Sequence, residues 1–109
     1  KKTILIVTPL YSCNLREFFE NHYSHLKPTN NNNNNDNNNN NNSIKFTNDK
    51  EFNDIIFIFL QISLGLQQMN RFEIFHRDLR PDNILINNDD LNVVICDFGE
   101  SLHNSSTGI

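Results

Sequence analysis

Cysteine, glycine, basic charge and long apolar runs are all scarce in this chain of 109 residues. The two cysteines, Cys13 and Cys96, lie 83 positions apart, which excludes a disulfide framework and a cysteine zinc cluster. A reducing, cytoplasmic setting is the default expectation for such thiols. The three glycines, Gly65, Gly99 and Gly108, are too scattered to make a Gly-rich phosphate cradle. Lys and Arg number nine against 13 acidic residues, for a formal charge of -4. They do not cluster, so a nucleic-acid surface is excluded. The strongest apolar stretch, Ile55 to Leu66, holds 12 residues with Gln61 and Ser63 inside it. That is too short to span a bilayer and suits a core helix better. The opening Lys1 to Val7 has a basic lead and a short apolar run but no cleavage site, so it is not a secretory signal. No initiator Met is present, and an upstream extension is expected.

One residue is in large excess. Asparagine occurs 22 times, and 12 of those fall between Asn30 and Asn42, broken only by Asp36. A tract with no apolar side chain cannot offset its ordering entropy, so 30–42 reads as a disordered low-complexity insertion. The remaining 96 residues are near the size at which a core is marginal.

The local patterns outline a series of elements. Thr3 to Thr8 is β-branched and aliphatic without alternation, which predicts a strand buried on both faces and ended by Pro9. Asn14 and Glu17 have capping-box spacing, and Leu15, Phe18, Phe19, Tyr23 and Leu26 recur at helical spacing. A helix is predicted over 14–26, stopped by Lys27-Pro28-Thr29. Asn48 and Glu51 open a second helix running to about Asn70. Its apolar side chains cover nearly the whole circumference, as in a central helix. Gly65 within it points to a close backbone approach. Further on, Ile84 to Ile86 and Leu91 to Cys96 predict a β-hairpin around a turn at Asn87 to Asp90.

The chemistry is concentrated in His76-Arg77-Asp78-Leu79-Arg80-Pro81-Asp82-Asn83 and Asp97-Phe98-Gly99. Phosphoryl transfer needs a group that orients the attacking hydroxyl and takes its proton, and it needs oxygen ligands for Mg²⁺. A carboxylate and an amide five positions apart on one tight loop can face a common point. A hairpin then returns a second carboxylate, 14 positions after Asn83, to the same place.

These residues resemble the catalytic loop and the metal-binding motif of eukaryotic protein kinases. Seven fixed positions in order recur by chance on the order of 10⁻⁹ times per starting position. The resemblance implies an α+β fold, mostly the C-lobe of a protein kinase domain: hinge strand, two helices, catalytic loop and hairpin. It makes 1–109 a partial kinase domain with 30–42 inserted in it. It also implies roles. Asp78 would be the catalytic base and Arg80 would contact the transferring phosphate. Asn83 and Asp97 would hold Mg²⁺ and with it ATP. Ile4 to Tyr11 resembles the strand and hinge beside the adenine site, with Thr8 at the gatekeeper position. Adenine would meet the carbonyl of Pro9, which replaces the usual acidic residue, and the amide of Tyr11. Arg77 would bind a phosphorylated activation segment, and His76 and Phe98 would pack as supports. Cys96 is expected to be a small filler. Ser101, Ser105, Ser106 and Thr107 are candidate phosphosites or simply a solvated loop. His22, His25 and His103 read as surface residues. An arginine at position 80 is similar to tyrosine kinases and to tyrosine-kinase-like Ser/Thr kinases, whereas Pro81-Asp82 favours the Ser/Thr pattern.

Other parts of such a domain have no counterpart here. There is no Gly-rich loop, no Val-Ala-Ile-Lys strand and no Ala-Pro-Glu motif. Lys1 and Lys2 come too late in the order to bind phosphate. The resemblance therefore covers the middle of a domain of roughly 250 residues. Two functions follow from it. One is a protein kinase acting on a protein substrate with ATP and Mg²⁺, this stretch alone being inactive. The other is a truncated, pseudokinase-like regulatory module. A small-molecule phosphotransferase is disfavoured by Arg77. No nucleic-acid or membrane partner is expected, and a partner covering the apolar C-lobe surface around Phe57 and Phe59 is.

Overall fold

A computed structural model describes residues 3–26 and 46–105. The asparagine tract, Lys1, Lys2, the Lys27-Pro28-Thr29 stop, Ser106 and Thr107 lie outside the described residues. The elements run β1 (Cys13–Asn14), α1 (Leu15–His22), a 3₁₀ turn (Ser24–Leu26), α2 (Asp49–Arg71), β2 (Ile74–Phe75), a 3₁₀ turn (Pro81–Asn83), β3 (Ile84–Ile86), β4 (Val93–Ile95) and β5 (Leu102–His103).

Both helices start where their caps place them. Asn14 Oδ1 accepts from the Glu17 amide at 2.9 Å, and the Asn14 amide donates to Glu17 Oε2 at 3.2 Å, a reciprocal capping box. At α2 the Asn48 side chain accepts from the Glu51 amide at 2.9 Å, but Glu51 Oε2 takes the Thr47 amide instead. The first helix ends at His22, earlier than 26. The Tyr23 amide still bonds Phe19 O at 2.9 Å, but Tyr23 leaves helical geometry and the chain tightens into a 3₁₀ turn closed by Leu26 N on Tyr23 O. That turn buries the Tyr23 ring beside Phe18 and Phe19.

A three-stranded antiparallel sheet, ordered β1-β3-β4, lies against α2. Cys13 faces Ile86, and Ile84, Leu85 and Ile86 face Ile95, Val94 and Val93. The second hairpin strand begins at Val93 rather than Leu91, because Leu91 takes a left-handed φ of 57° to close the turn onto Asn87. A separate pair, β2 with β5, sets Ile74 opposite His103 and Phe75 opposite Leu102.

The core is Leu15, Phe18, Tyr23, Ile58, Ile62, Ile84 and Ile86. Ile58 and Ile86 are wholly buried, each stabilising the fold by about 1.5–3 kcal/mol. Gly65 marks the close approach expected of it: a Cβ there would lie 3.2 Å from Ile95 Cδ1. Although α2 is apolar all round, only one stripe is covered. Phe52, Ile56, Phe57, Phe59, Leu60 and Leu64 stay about half exposed.

The strand expected over Thr3 to Thr8 is not formed. Residues 3–10 are irregular, and Ile4, Leu5, Ile6 and Val7 are each at least 79% exposed. A strand exists by pairing its amides and carbonyls with a neighbour, and no described strand lies beside this one. No helix among the described residues is long and apolar enough to cross a membrane.

Candidate active site

The loop from His76 to Asn83 joins β2 to β3 and is fixed at three points. The first is His76, which is 95% buried. Its Nδ1 accepts from the Asp78 amide at 3.2 Å, so its Nε2–H donates to the Cys96 carbonyl at 2.7 Å. One neutral ring thus ties the loop to the end of β4, and it packs on Phe98 with ring centres 5.0 Å apart.

The second point is Asn83, also buried. Its side-chain amide donates to the Asp78 carbonyl at 2.9 Å and to Asp78 Oδ2 at 3.1 Å. The structure thus brings this carboxylate and amide together. Arg80 Nε stands 3.7 Å from Asp78 Oδ1 on the other side. The Cys96 amide donates to the Asn83 carbonyl at 2.9 Å, which brings the chain leading to Asp97 alongside Asn83.

The third point is the 3₁₀ turn, where Asn83 N bonds Arg80 O at 2.9 Å. Arg16, in the first turn of α1, donates from Nε and Nη2 to the two carboxylate oxygens of Asp82, at 2.9 and 2.8 Å. These hydrogen bonds hold the Asp82 carboxyl below the usual range. Neither Arg16 nor this use of Asp82 was expected from sequence. The partners are 66 positions apart, and only a fork-shaped donor beside a carboxylate hints at the match.

Two of the four left-handed non-glycine residues among those described lie here. Arg77 has φ 67° and Asp97 has φ 59°, both left-handed. Aspartate tolerates this region, but an arginine there costs about 1–2 kcal/mol. The Arg77 guanidinium Nε donates to the Glu100 carbonyl at 2.6 Å, tying the loop to the segment after Asp97-Phe98-Gly99. Asp97 is exposed, and its Oδ1 accepts from the Gly99 amide at 3.3 Å.

The donor set suits a hard cation. Asn83 spends its amide N–H groups on Asp78, which leaves Oδ1 free, and Asp97 keeps Oδ2. Two such oxygens are what Mg²⁺ takes from a protein when phosphates and water supply the rest. Pro9 and Tyr11 are not drawn to this loop. Pro9 is exposed, Tyr11 is half-buried, and neither has a hydrogen bond to it. Burial pushes the Cys96 thiol up, with Asp97 adding to the shift, so it is a poor nucleophile at neutral pH. His22 and His25 are on the surface as expected but do have partners. His22 stacks on Phe18, and His25 meets Glu51 at 3.0 Å.

A second unexpected residue supports the hairpin. Gln61, an interruption in the apolar run of α2, donates to Leu91 O at 2.7 Å and accepts from Val93 N at 2.9 Å. It fixes the start of β4, whose end delivers Asp97.

The family model described as protein kinase domain matches residues 13–108. The chain belongs to the protein kinase family. Among curated relatives of this kinase domain, mitogen-activated protein kinase 3 of Oryza sativa subsp. japonica is 47% identical over 53 residues, covering 48% of the chain and 14% of the relative. The SNF1-like protein kinase ssp2 of Schizosaccharomyces pombe is 49% identical over 43 residues, 39% of the chain and 7% of the relative. Serine/threonine-protein kinase SKS1 of Saccharomyces cerevisiae is 41% identical over 44 residues, 40% of the chain and 9% of the relative. Each alignment thus spans a small part of a much longer kinase. No solved structure matches.

Proposed function

We propose that this chain supplies the phosphotransfer loop of a protein kinase that moves the ATP γ-phosphoryl group to a Ser or Thr hydroxyl of a protein. One observation carries the reading: the Asp78 carboxylate is held at 3.1 Å by the buried Asn83 amide, with Arg80 on its far side. A carboxylate so placed orients a hydroxyl and takes its proton as the new bond from that oxygen to the γ-phosphorus forms and the bond to the departing ADP breaks. Arg80 neutralises charge on the transferring group. Asn83 Oδ1 and Asp97 Oδ2 would hold Mg²⁺, which would offset the phosphate charge when bound. Pro9 and Tyr11 would serve adenine through the carbonyl of the first and the amide of the second once their segment is paired as a strand. The Ser/Thr preference rests on Pro81-Asp82 and on relatives such as the serine/threonine-protein kinase named above.

Calorimetric titration of Mg-ATP into the natural gene product carrying these residues tests the reading. Saturable binding that weakens at least about tenfold in Asp97→Asn is expected. Absence of Mg-dependent binding would replace the kinase reading with a regulatory module that lacks chemistry.

A further inference from the structure

The 3₁₀ turn that presents Asn83 is weakly built. It is three residues long, Pro81 brings no amide hydrogen, and Arg80 at its front offers no side-chain cap. Its middle residue, Asp82, is engaged from outside the turn by Arg16 of α1. From Arg16 the contacts run in one line: Asp82, the adjoining Asn83, and Asp78 through the Asn83 side chain. The start of α1 is itself anchored, by the reciprocal Asn14–Glu17 cap and by β1 pairing with β3. Arg16 is thus a fixed post against which a loose turn is braced.

We propose that Arg16 is a positioning residue for the phosphotransfer loop, acting through Asp82 to hold the Asn83 amide on Asp78. It touches neither substrate nor metal. The pair is partly exposed, with the two side chains 53% and 33% accessible, so it adds little to global stability. Its effect is therefore local. A lysine cannot replace it, because a single ammonium cannot make the two parallel hydrogen bonds.

The proposal rests on the phosphotransfer reading for its purpose, but its test needs neither ATP nor turnover. The readout is solvent exchange of the Asn83 side-chain amide protons in the full chain, measured by NMR against the exposed Asn53 amide. In the unaltered chain, Asn83 should exchange at least about fivefold more slowly than Asn53. Arg16→Gln and Asp82→Asn should each remove that protection while backbone protection in α2 and the melting midpoint stay put. Arg16→Lys should restore only part of it, and the swap Arg16→Asp with Asp82→Arg should restore most. Asn83 protection unchanged in both single variants would overturn the proposal. So would protection lost only in step with the melting midpoint, since that marks a purely structural pair. Loss of Mg-ATP binding with this result intact would instead fail the kinase reading alone.

Discussion

Replacing Gln61 probes how α2 delivers Asp97 to the loop. The Gln61 amide closes two hydrogen bonds to the hairpin, 2.7 Å to Leu91 O and 2.9 Å from Val93 N, in a half-buried setting. Gln61→Met keeps the length and shape of the side chain and removes both. Each bond is worth about 0.5–1.5 kcal/mol, so a loss of about 1–3 kcal/mol is expected. With a urea dependence of about 1–3 kcal/mol per molar, the unfolding midpoint should fall by about 1 M. Gln61→Glu separates the two bonds. The introduced carboxylate can still accept from Val93 N but faces the Leu91 carbonyl without a proton. Protonation restores the donor, so the folded-state pKa of that carboxyl lies above its unfolded value of about 4.3. The contribution is then fully present below pH ~4.3 and lost as pH rises through the folded value. Urea midpoints followed by circular dichroism from pH 3 to 7 would show this decline in the variant relative to the parent. A Gln61→Met loss under about 0.5 kcal/mol, with no added pH dependence in Gln61→Glu, would mean that Gln61 does not dock the hairpin.

Other outcomes follow from the same geometry. His76→Phe keeps the tilted ring contact with Phe98 but strands the Asp78 amide and the Cys96 carbonyl, and should cost about 1–3 kcal/mol by thermal melting. A variant as stable as the parent would remove His76 from its bridging role. The carboxyls of Asp82 and Glu51 are both held low, the first by Arg16 and the second by hydrogen bonding from Thr47 with His25 adding to it. Groups with depressed folded values add stability above their unfolded values, about pH 4, and lose it as pH falls further. The Asp82 carboxyl itself should therefore titrate at higher pH in Arg16→Gln, followed by NMR, and an unchanged titration would contradict this. The 109-residue chain alone, which has no Gly-rich loop or Val-Ala-Ile-Lys strand to place the phosphates, should transfer no phosphate. Transfer by it that Asp78→Asn abolishes would refute that expectation.

The Asp78–Asn83 contact was legible because its residues are close in sequence and chemically distinctive, so their spacing already implied a shared point. Both helix starts were legible for a similar reason: Asn14 with Glu17 and Asn48 with Glu51 are local signals. What escaped was non-local. The two residues of β1 carry no strand pattern, and only their pairing with β3 makes them one. The same holds for β5, whose Leu102 and His103 depend on β2. Arg16 looked like an ordinary helix-surface cation until Asp82 stood beside it. Gln61 looked like a flaw in an apolar run, yet it is the residue that docks the hairpin. Thr3 to Thr8 shows the opposite error, strong β propensity with no neighbour to pair with.

Asp78 is proposed as the group that orients the acceptor hydroxyl. Its most direct test is Mg²⁺-dependent transfer of labelled γ-phosphate from ATP to a protein substrate by the natural gene product carrying these residues. Asp78→Asn should lower the transfer rate at least about a hundredfold, with Mg-ATP affinity changed less than about twofold. Transfer undiminished in that variant would contradict the account.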